Sequence, residues 1–302
     1  MGNQLFPEIA TAAMRAKKTF MFLLNFGVPP CPPCSPWFRY FFRVPGLGRM
    51  AISSKQYRDP MQFINLAGYK FVSLDALDDL KASLDRRCRE LELKGTILLS
   101  FEGINVVLAG SEEATTAFRS LIHGDPRFGD LSFKRSVSAF QPFDRMLVKI
   151  KKEIITLRVP GLDPAKERAP AVAPAELKRW LDEGREVVLL DARNAFEVDA
   201  GTFDNARDLR LSSFGQFAQA ADKLDPALKD NTIVTFCTGG IRCEKAAPVL
   251  IRKGFRNVFQ LDGGILRYFE ECGNAHFKGR CFVFDQRVAL DGNLQPEVAD
   301  TQ

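Results

Sequence analysis

Histidine is nearly missing from this chain of 302 residues: only His123 and His276 are present. A metal centre built on imidazoles is thereby all but excluded, because such centres gather several ligands at short spacing. No run approaches the roughly 20 consecutive apolar residues that span a bilayer, so no transmembrane helix is expected. The seven cysteines are odd in number and mostly isolated. They fit a reducing compartment, the cytoplasm, better than a secreted disulfide framework. Cys31 and Cys34 do have Cys-x-x-Cys spacing, but they lack a second pair and sit in a proline-rich stretch. No metal is expected there.

What is present is ordinary for a soluble globular protein: 46% hydrophobic and 26% charged residues, in a chain long enough for two cores. The net charge of +5 is unevenly placed. Residues 1–60 hold eight Lys/Arg against Glu8 and Asp59, for +6; the other 242 hold 34 basic and 35 acidic side chains, for −1. Any case for nucleic-acid binding must therefore rest on a local patch. Residues 1–60 also carry eight of the 17 prolines and no sustained periodicity. Lys17-Lys18 and the apolar residues after them resemble the start of a signal peptide, but no small-residue cleavage site follows. The segment is read as a disordered or extraneous extension, with the true start expected at Met61.

From residue 61 the pattern becomes regular. Strands are expected at 71–74, 95–99, 104–108, 131–137 and 146–157, with helices over 75–93 and from Ser111, a capping residue. The order β-α-β-β-α-β predicts a ferredoxin-like (acylphosphatase-like) α+β domain over residues 61–160. Pro160-Gly161-Leu162-Asp163-Pro164 marks a linker. A βα alternation follows: helix 174–183, strand 187–190 with Asp191-Ala192-Arg193 at its end, strands 232–236 and 255–261, and helix 265–272. This predicts a parallel-sheet α/β domain over 161–275 and a C-terminal extension over 276–302. Ligands of open α/β sheets bind beyond the carboxyl ends of strands, so Asp191, Arg193 and Cys237 should converge on one edge.

Cys237 is the most informative residue. It follows the β-branched strand Thr232-Ile233-Val234-Thr235-Phe236 and precedes a helix opening at Cys243. The intervening Thr238-Gly239-Gly240-Ile241-Arg242 can turn tightly and aim backbone N–H groups at a sulfur anion. Helix dipole, amides, Arg242 and Lys245 would all favour a thiolate or persulfide. An ordinary buried strand-end cysteine is the plain alternative, and the strand–Cys–Gly-Gly–Arg–helix setting argues against it. Arg242 would stabilise an anion at the sulfur or contact a phosphate, or else pair with an acid at the rim. Cys243 fits a resolving thiol and a packing residue equally. Asp191, Arg193 and Glu197 read as supporting groups, an arginine braced by carboxylates at the strand end.

These residues together resemble a rhodanese domain, with Cys237–Arg242 as its six-residue loop and Asp191-x-Arg193, Glu197 and Gly201-Thr202-Phe203 as its earlier signature. The longer string Cys237-Thr238-Gly239-Gly240-Ile241-Arg242-Cys243-Glu244-Lys245-Ala246, with Glu102-Gly103-Ile104-Asn105 and Phe282-Val283-Phe284-Asp285-x-Arg287, is similar to bacterial tRNA uridine hydroxylases. The resemblance covers roughly residues 65–290. It implies a rhodanese-like second domain and Cys237 as the nucleophile. The implied substrate is the wobble uridine of a tRNA anticodon loop, converted to 5-hydroxyuridine with molecular oxygen as co-substrate and no evident bound cofactor or metal. Many members continue into a cysteine-rich, zinc-binding tail that is not seen up to Gln302.

Uridine C6 is electrophilic like an enone terminus, so sulfur adding there would make C5 nucleophilic toward an oxidant. The same cysteine could instead take sulfane sulfur from thiosulfate or a persulfide donor and pass it on, as a sulfurtransferase does. A catalytically idle RNA- or phosphate-binding module is a third reading, against which the intact cysteine speaks. Residues 134–158 hold seven Lys/Arg and two acids, with Phe140, Phe143 and Met146 among them. Arg145, Lys149, Lys151 and Lys152 are thus candidates for RNA contact, and an edge strand guarded by lysines would look the same. Glu102 and Asn105 could hold a base edge, or merely shape a hairpin turn.

Overall fold

The computed structural model describes residues 62–296, so the expectations for residues 1–60, including Cys31 and Cys34, lie outside the described residues. The first half is built from β1 (Phe63–Phe71), α1 (Leu77–Glu90), β2 (Lys94–Ser100), β3 (Gly103–Gly110), α2 (Glu112–His123), β4 (Lys134–Ser138) and β5 (Met146–Ile150). Its sheet runs β4-β1-β3-β2-β5. The first four strands are antiparallel neighbours, the ferredoxin-like order, and β5 adds parallel to β2 at the edge. Ser111 caps α2 by accepting from the Ala114 amide at 3.1 Å. Ile97, Leu99, Ile104, Val106, Leu108 and Phe118 form a fully buried core.

Three strand expectations are corrected. The first strand ends at Phe71, where it was expected to begin. Leu131 belongs to a turn, its amide bonded to Phe128 O at 2.9 Å, and the strand starts at Lys134. The strand expected to reach Leu157 stops at Ile150. Beyond it the Glu153 carboxylate accepts from the Leu157 and Arg158 amides at 3.0 and 3.1 Å, which turns the chain away from the ladder.

The second half comprises β6 (Ala171–Val172), α3 (Pro174–Asp182), β7 (Val188–Asp191), α4 (Ala195–Ala200), β8 (Gly201–Phe203), β9 (Arg207–Asp208), α5 (Phe217–Ala221), β10 (Thr232–Phe236), α6 (Cys243–Arg252), β11 (Asn257–Leu261) and α7 (Gly264–Cys272). The parallel sheet runs β6-β11-β10-β7-β9. Residues of α5 and α6 pack in one core cluster, those of α3 and α7 in another. The sheet is thus covered on both faces, which is why β10 reads as a nearly continuous buried run. The chain ends in β12 (Phe277–Gly279), β13 (Cys281–Phe282) and β14 (Ala289–Leu290); β12 pairs with β8, and β13 with β14.

One local device recurs in both halves. In Asp125-x-Arg127, Asp191-x-Arg193 and Asp285-x-Arg287 the aspartate accepts from the arginine's own amide at 2.9, 3.0 and 2.9 Å. It also accepts from the same arginine's guanidinium. A short carboxylate and a fork two residues on close one compact ring.

Candidate active site

β10 delivers Cys237 to the carboxyl edge of the sheet, and the loop of residues 238–242 wraps over it before α6 begins. The wrap is held from behind: the Ile265 and Leu266 amides at the start of α7 donate to Cys237 O and Thr238 O at 2.9 and 3.0 Å. Gly264, at φ +67°, permits that approach, since a Cβ there would lie 2.4 Å from Cys237 O. Gly240, at φ +98°, turns its amide onto Cys237 Sγ at 3.1 Å. Burial alone would push the Cys237 thiol up; the hydrogen bond from Cys243, the Arg242 charge and the Arg242 and Gly240 amides outweigh it and hold the pKa well below the usual thiol range. Cys243 is pushed the other way, by burial first and then by the Cys237 anion.

Cys237 lies beneath its loop and is 0% exposed, as buried as the plain alternative of a strand-end cysteine would have it. What surrounds it is polar, however, not hydrocarbon alone. Lys245, expected to help ionise it, faces elsewhere and donates to Glu102, Glu153 and Ile155 O at 2.9, 2.7 and 2.9 Å. It is a latch between the two halves.

The supporting groups form two buried ion pairs. Arg193 is gripped by Asp191 through Nε and Nη2 at 2.9 and 2.7 Å, and reaches Gly201 O at 2.6 Å. Its contact with Glu197 is to the backbone carbonyl, 3.3 Å, not the carboxylate. The Glu197 carboxylate is taken by both Nη atoms of Arg242 at 2.6 and 2.8 Å, and by Thr238 Oγ1 at 3.2 Å. Arg242 therefore has an acid partner, and stabilises the sulfur by charge while its fork is occupied. Pairing raises its pKa further despite burial.

Above the loop lies a cavity of about 520 Å³, within the range of small-molecule sites. Its floor includes Thr238, Gly239, Ile241 and Arg242; its walls include Tyr69, Asn105, Lys134, Arg158, Phe284 and Arg287. Lys134 Nζ crosses from β4 to donate to Gly239 O at 2.8 Å. Burial pulls its pKa down against the pull of Cys237, Glu270 and Asp262. Tyr69 OH donates to Glu244 Oε1 at 3.3 Å, with its pKa raised by burial and then by Glu244. Neither Lys134 nor Arg158 has a carboxylate partner among the described residues.

Of the RNA candidates, Asn105 lines the cavity and donates only a long 3.5 Å bond to Ile154 O. Glu102 is diverted into the latch, accepting also from the Ile154 amide at 2.8 Å. Arg145, Lys149, Lys151 and Lys152 are exposed along or beside β5 and line no part of this cavity. Met146 is buried in the core beneath them, and is no stacking surface. Lys134 and Arg158, the ends of the same basic run, do reach the cavity, though nothing in the run's composition singles them out. Tyr69 gave no sequence signal at all.

Residues 63–154 match the UPF0176 acylphosphatase like domain and residues 173–271 the rhodanese-like domain. The chain is 52% identical over 241 residues to a tRNA uridine(34) hydroxylase of Cupriavidus necator, covering 78% of this chain and 86% of that protein. It is 54% identical over 245 residues, with the same coverage, to a tRNA uridine(34) hydroxylase of Burkholderia cenocepacia. Among solved structures, the rhodanese-like domain of an Anabaena sp protein matches 37% of this chain and 80% of its own at 21% identity. Its TM-score is 0.31, too small a likeness to bear on the site.

Proposed function

Since the chain belongs to the tRNA uridine(34) hydroxylase family, we propose that it hydroxylates the wobble uridine of tRNA to 5-hydroxyuridine. Cys237 is the nucleophile and molecular oxygen the co-substrate, and the reaction takes place in the cytoplasm. The observation that carries this reading is the cavity lying over the Cys237 loop. It is walled by both halves, and its cations Lys134 and Arg158, neither in an ion pair with a carboxylate among the described residues, suit the phosphates of a strand whose base turns inward.

The thiolate adds to uridine C6, and the electron pair of the C5–C6 double bond moves to C5. C5 then gives two electrons to O2 and forms a C5 hydroperoxide; a two-electron reductant of the thiol class cleaves its O–O bond, leaving the hydroxyl on C5 and releasing the second oxygen as water. Loss of the C5 proton expels the thiolate and restores the double bond. Because the sulfur is covered, loop 238–242 must move before C6 can reach it. The Glu197–Arg242 pair fixes the loop's far end and keeps positive charge beside the sulfur throughout. Asn105 takes a base edge, while from the first half Lys134 holds the loop at Gly239 O and Tyr69 holds Glu244 at the start of α6. Arg145, Lys149, Lys151 and Lys152 contribute at most a diffuse attraction for the RNA backbone.

Nucleoside mass spectrometry of tRNA tests the proposal, in cells lacking the gene and complemented with wild type or with Cys237→Ser. Wild type should restore 5-hydroxyuridine derivatives and Cys237→Ser should leave them absent. Restoration by Cys237→Ser would remove the nucleophile assignment. An unchanged nucleoside profile together with thiosulfate–cyanide turnover would favour sulfur transfer instead.

A further inference from the structure

Beside the cavity, which Phe284 lines, three phenylalanine rings form a contiguous cluster. Phe196, on α4, is 47% exposed, and Phe284, just beyond β13, is 62% exposed. Phe282, half-buried at the end of β13, lies between them in contact with both: ring centroids are 5.1 Å apart for Phe196–Phe282, 5.3 Å for Phe282–Phe284 and 6.2 Å for Phe196–Phe284. All three pairs are edge-to-face, so the cluster is ordered by ring geometry as well as by area. Singly exposed apolar residues need no explanation, but a contiguous aromatic group beside a cavity does.

The cluster is rigidly mounted. Phe284 sits between Val283, which is buried and whose amide donates to Val288 O at 2.8 Å, and the Asp285–Arg287 ring. Arg287 Nη1 ties that ring to Ser136 Oγ on β4 at 2.7 Å. The Arg242 guanidinium carbon lies 5.9 Å from the Phe284 ring centroid, which joins the cluster to the loop over Cys237.

We propose that Phe196, Phe282 and Phe284 are a stacking shelf for an unpaired RNA base that flanks the nucleotide entering the cavity. The proposal rests on the tRNA reading above and names a contact that reading leaves open. Charge complementarity selects the occupant. Lys134 and Arg158 in the adjoining cavity call for an anionic backbone, while the shelf offers π faces. Bases strung on phosphates, with one unstacked, present both at once. A purely apolar partner would leave those cations facing hydrocarbon.

The test is equilibrium binding of the full chain to a tRNA anticodon stem-loop with uridine at position 34, at several salt concentrations, alongside its hydroxylation. Phe284→Ala and Phe196→Ala should each weaken binding roughly ten-fold. Phe284→Trp should bind like wild type, and Phe284→Leu, which keeps apolar area without a ring, should not. The salt slope should be the same in all, because stacking releases no counterions. Both changed side chains are exposed, so the fold should persist, as circular dichroism can verify. Unchanged affinity in Phe284→Ala, or full affinity in Phe284→Leu, overturns the shelf while leaving the tRNA reading intact. So does sedimentation showing a wild-type dimer that Phe284→Ala dissociates, which would place a second copy on the patch. A wild-type protein that neither binds nor hydroxylates the stem-loop would take down the tRNA reading, and the shelf with it.

Discussion

The two halves of the molecule treat charge in opposite ways. Buried polar side chains of the antiparallel half are neutral: Asn65, Ser100, Thr115 and Ser138. The parallel half and its C-terminal segment bury Asp191, Arg193, Glu197, Arg242, Lys245 and Arg287. Desolvating a charge is costly even when it is paired, and an apolar replacement often serves stability as well. The contrast therefore separates a scaffold from a site. The first half lends walls and a few reaching side chains, and the second keeps the buried charge where an anion must be held.

Breaking that contrast should have its largest effect at Arg193. Arg193→Ala leaves Asp191 buried and unpaired, and should cost about 3–5 kcal/mol in urea-induced unfolding. A loss under about 1 kcal/mol would mean the pair is dispensable. The latch should matter less. Lys245→Met leaves Glu102 and Glu153 facing each other, but each keeps about a fifth of its side chain in water, 21% and 22%. A loss of about 1–3 kcal/mol is expected, with hydrogen exchange rising at the junction of the halves; exchange confined to α6 would deny the latch.

The smallest effect is one of rate against pH. The Cys237 pKa is depressed, so its thiolate, and the stability that thiolate confers, is fully present above the ordinary thiol range and is lost only as pH falls through the lowered value. Iodoacetamide should alkylate Cys237 slowly, because it is covered, yet at a rate nearly flat between pH 9 and pH 7. The half-buried Cys272, raised by burial, should slow about ten-fold per unit over the same span. Parallel profiles for the two would dissolve the distinction between held thiolate and plain thiol.

Much of this was legible along the chain where neighbours in sequence are neighbours in space. Cys237 and the turn after it, the Asp191–Arg193 ring and the capping serine of α2 are all closed by contacts spanning a few residues. β1 is poorly marked in the sequence because Phe63–Phe71 contains Ala67 and Gly68 and shows no clean alternation, so the strand pattern is clear only at its end. Lys245 is a different case. Eight residues from Cys237 on a helix, it looked like an activator, but its partners Glu102 and Glu153 come from another domain. The lysines along and just beyond β5 are candidates for RNA contact from composition alone, yet the cavity is lined from β1, β3 and β4 and by none of them.

Local order along the chain thus determined that a thiolate cradle exists, since amide direction, glycine conformation and the start of a helix are properties of a single short segment. Which cations share its cavity, which carboxylate captures Arg242, whether the sulfur is covered, and that three phenylalanines from residues 196, 282 and 284 meet beside that cavity were decided by tertiary structure alone. Those contacts join residues dozens of positions apart, and only the packing of two sheets fixes which side chains end within reach.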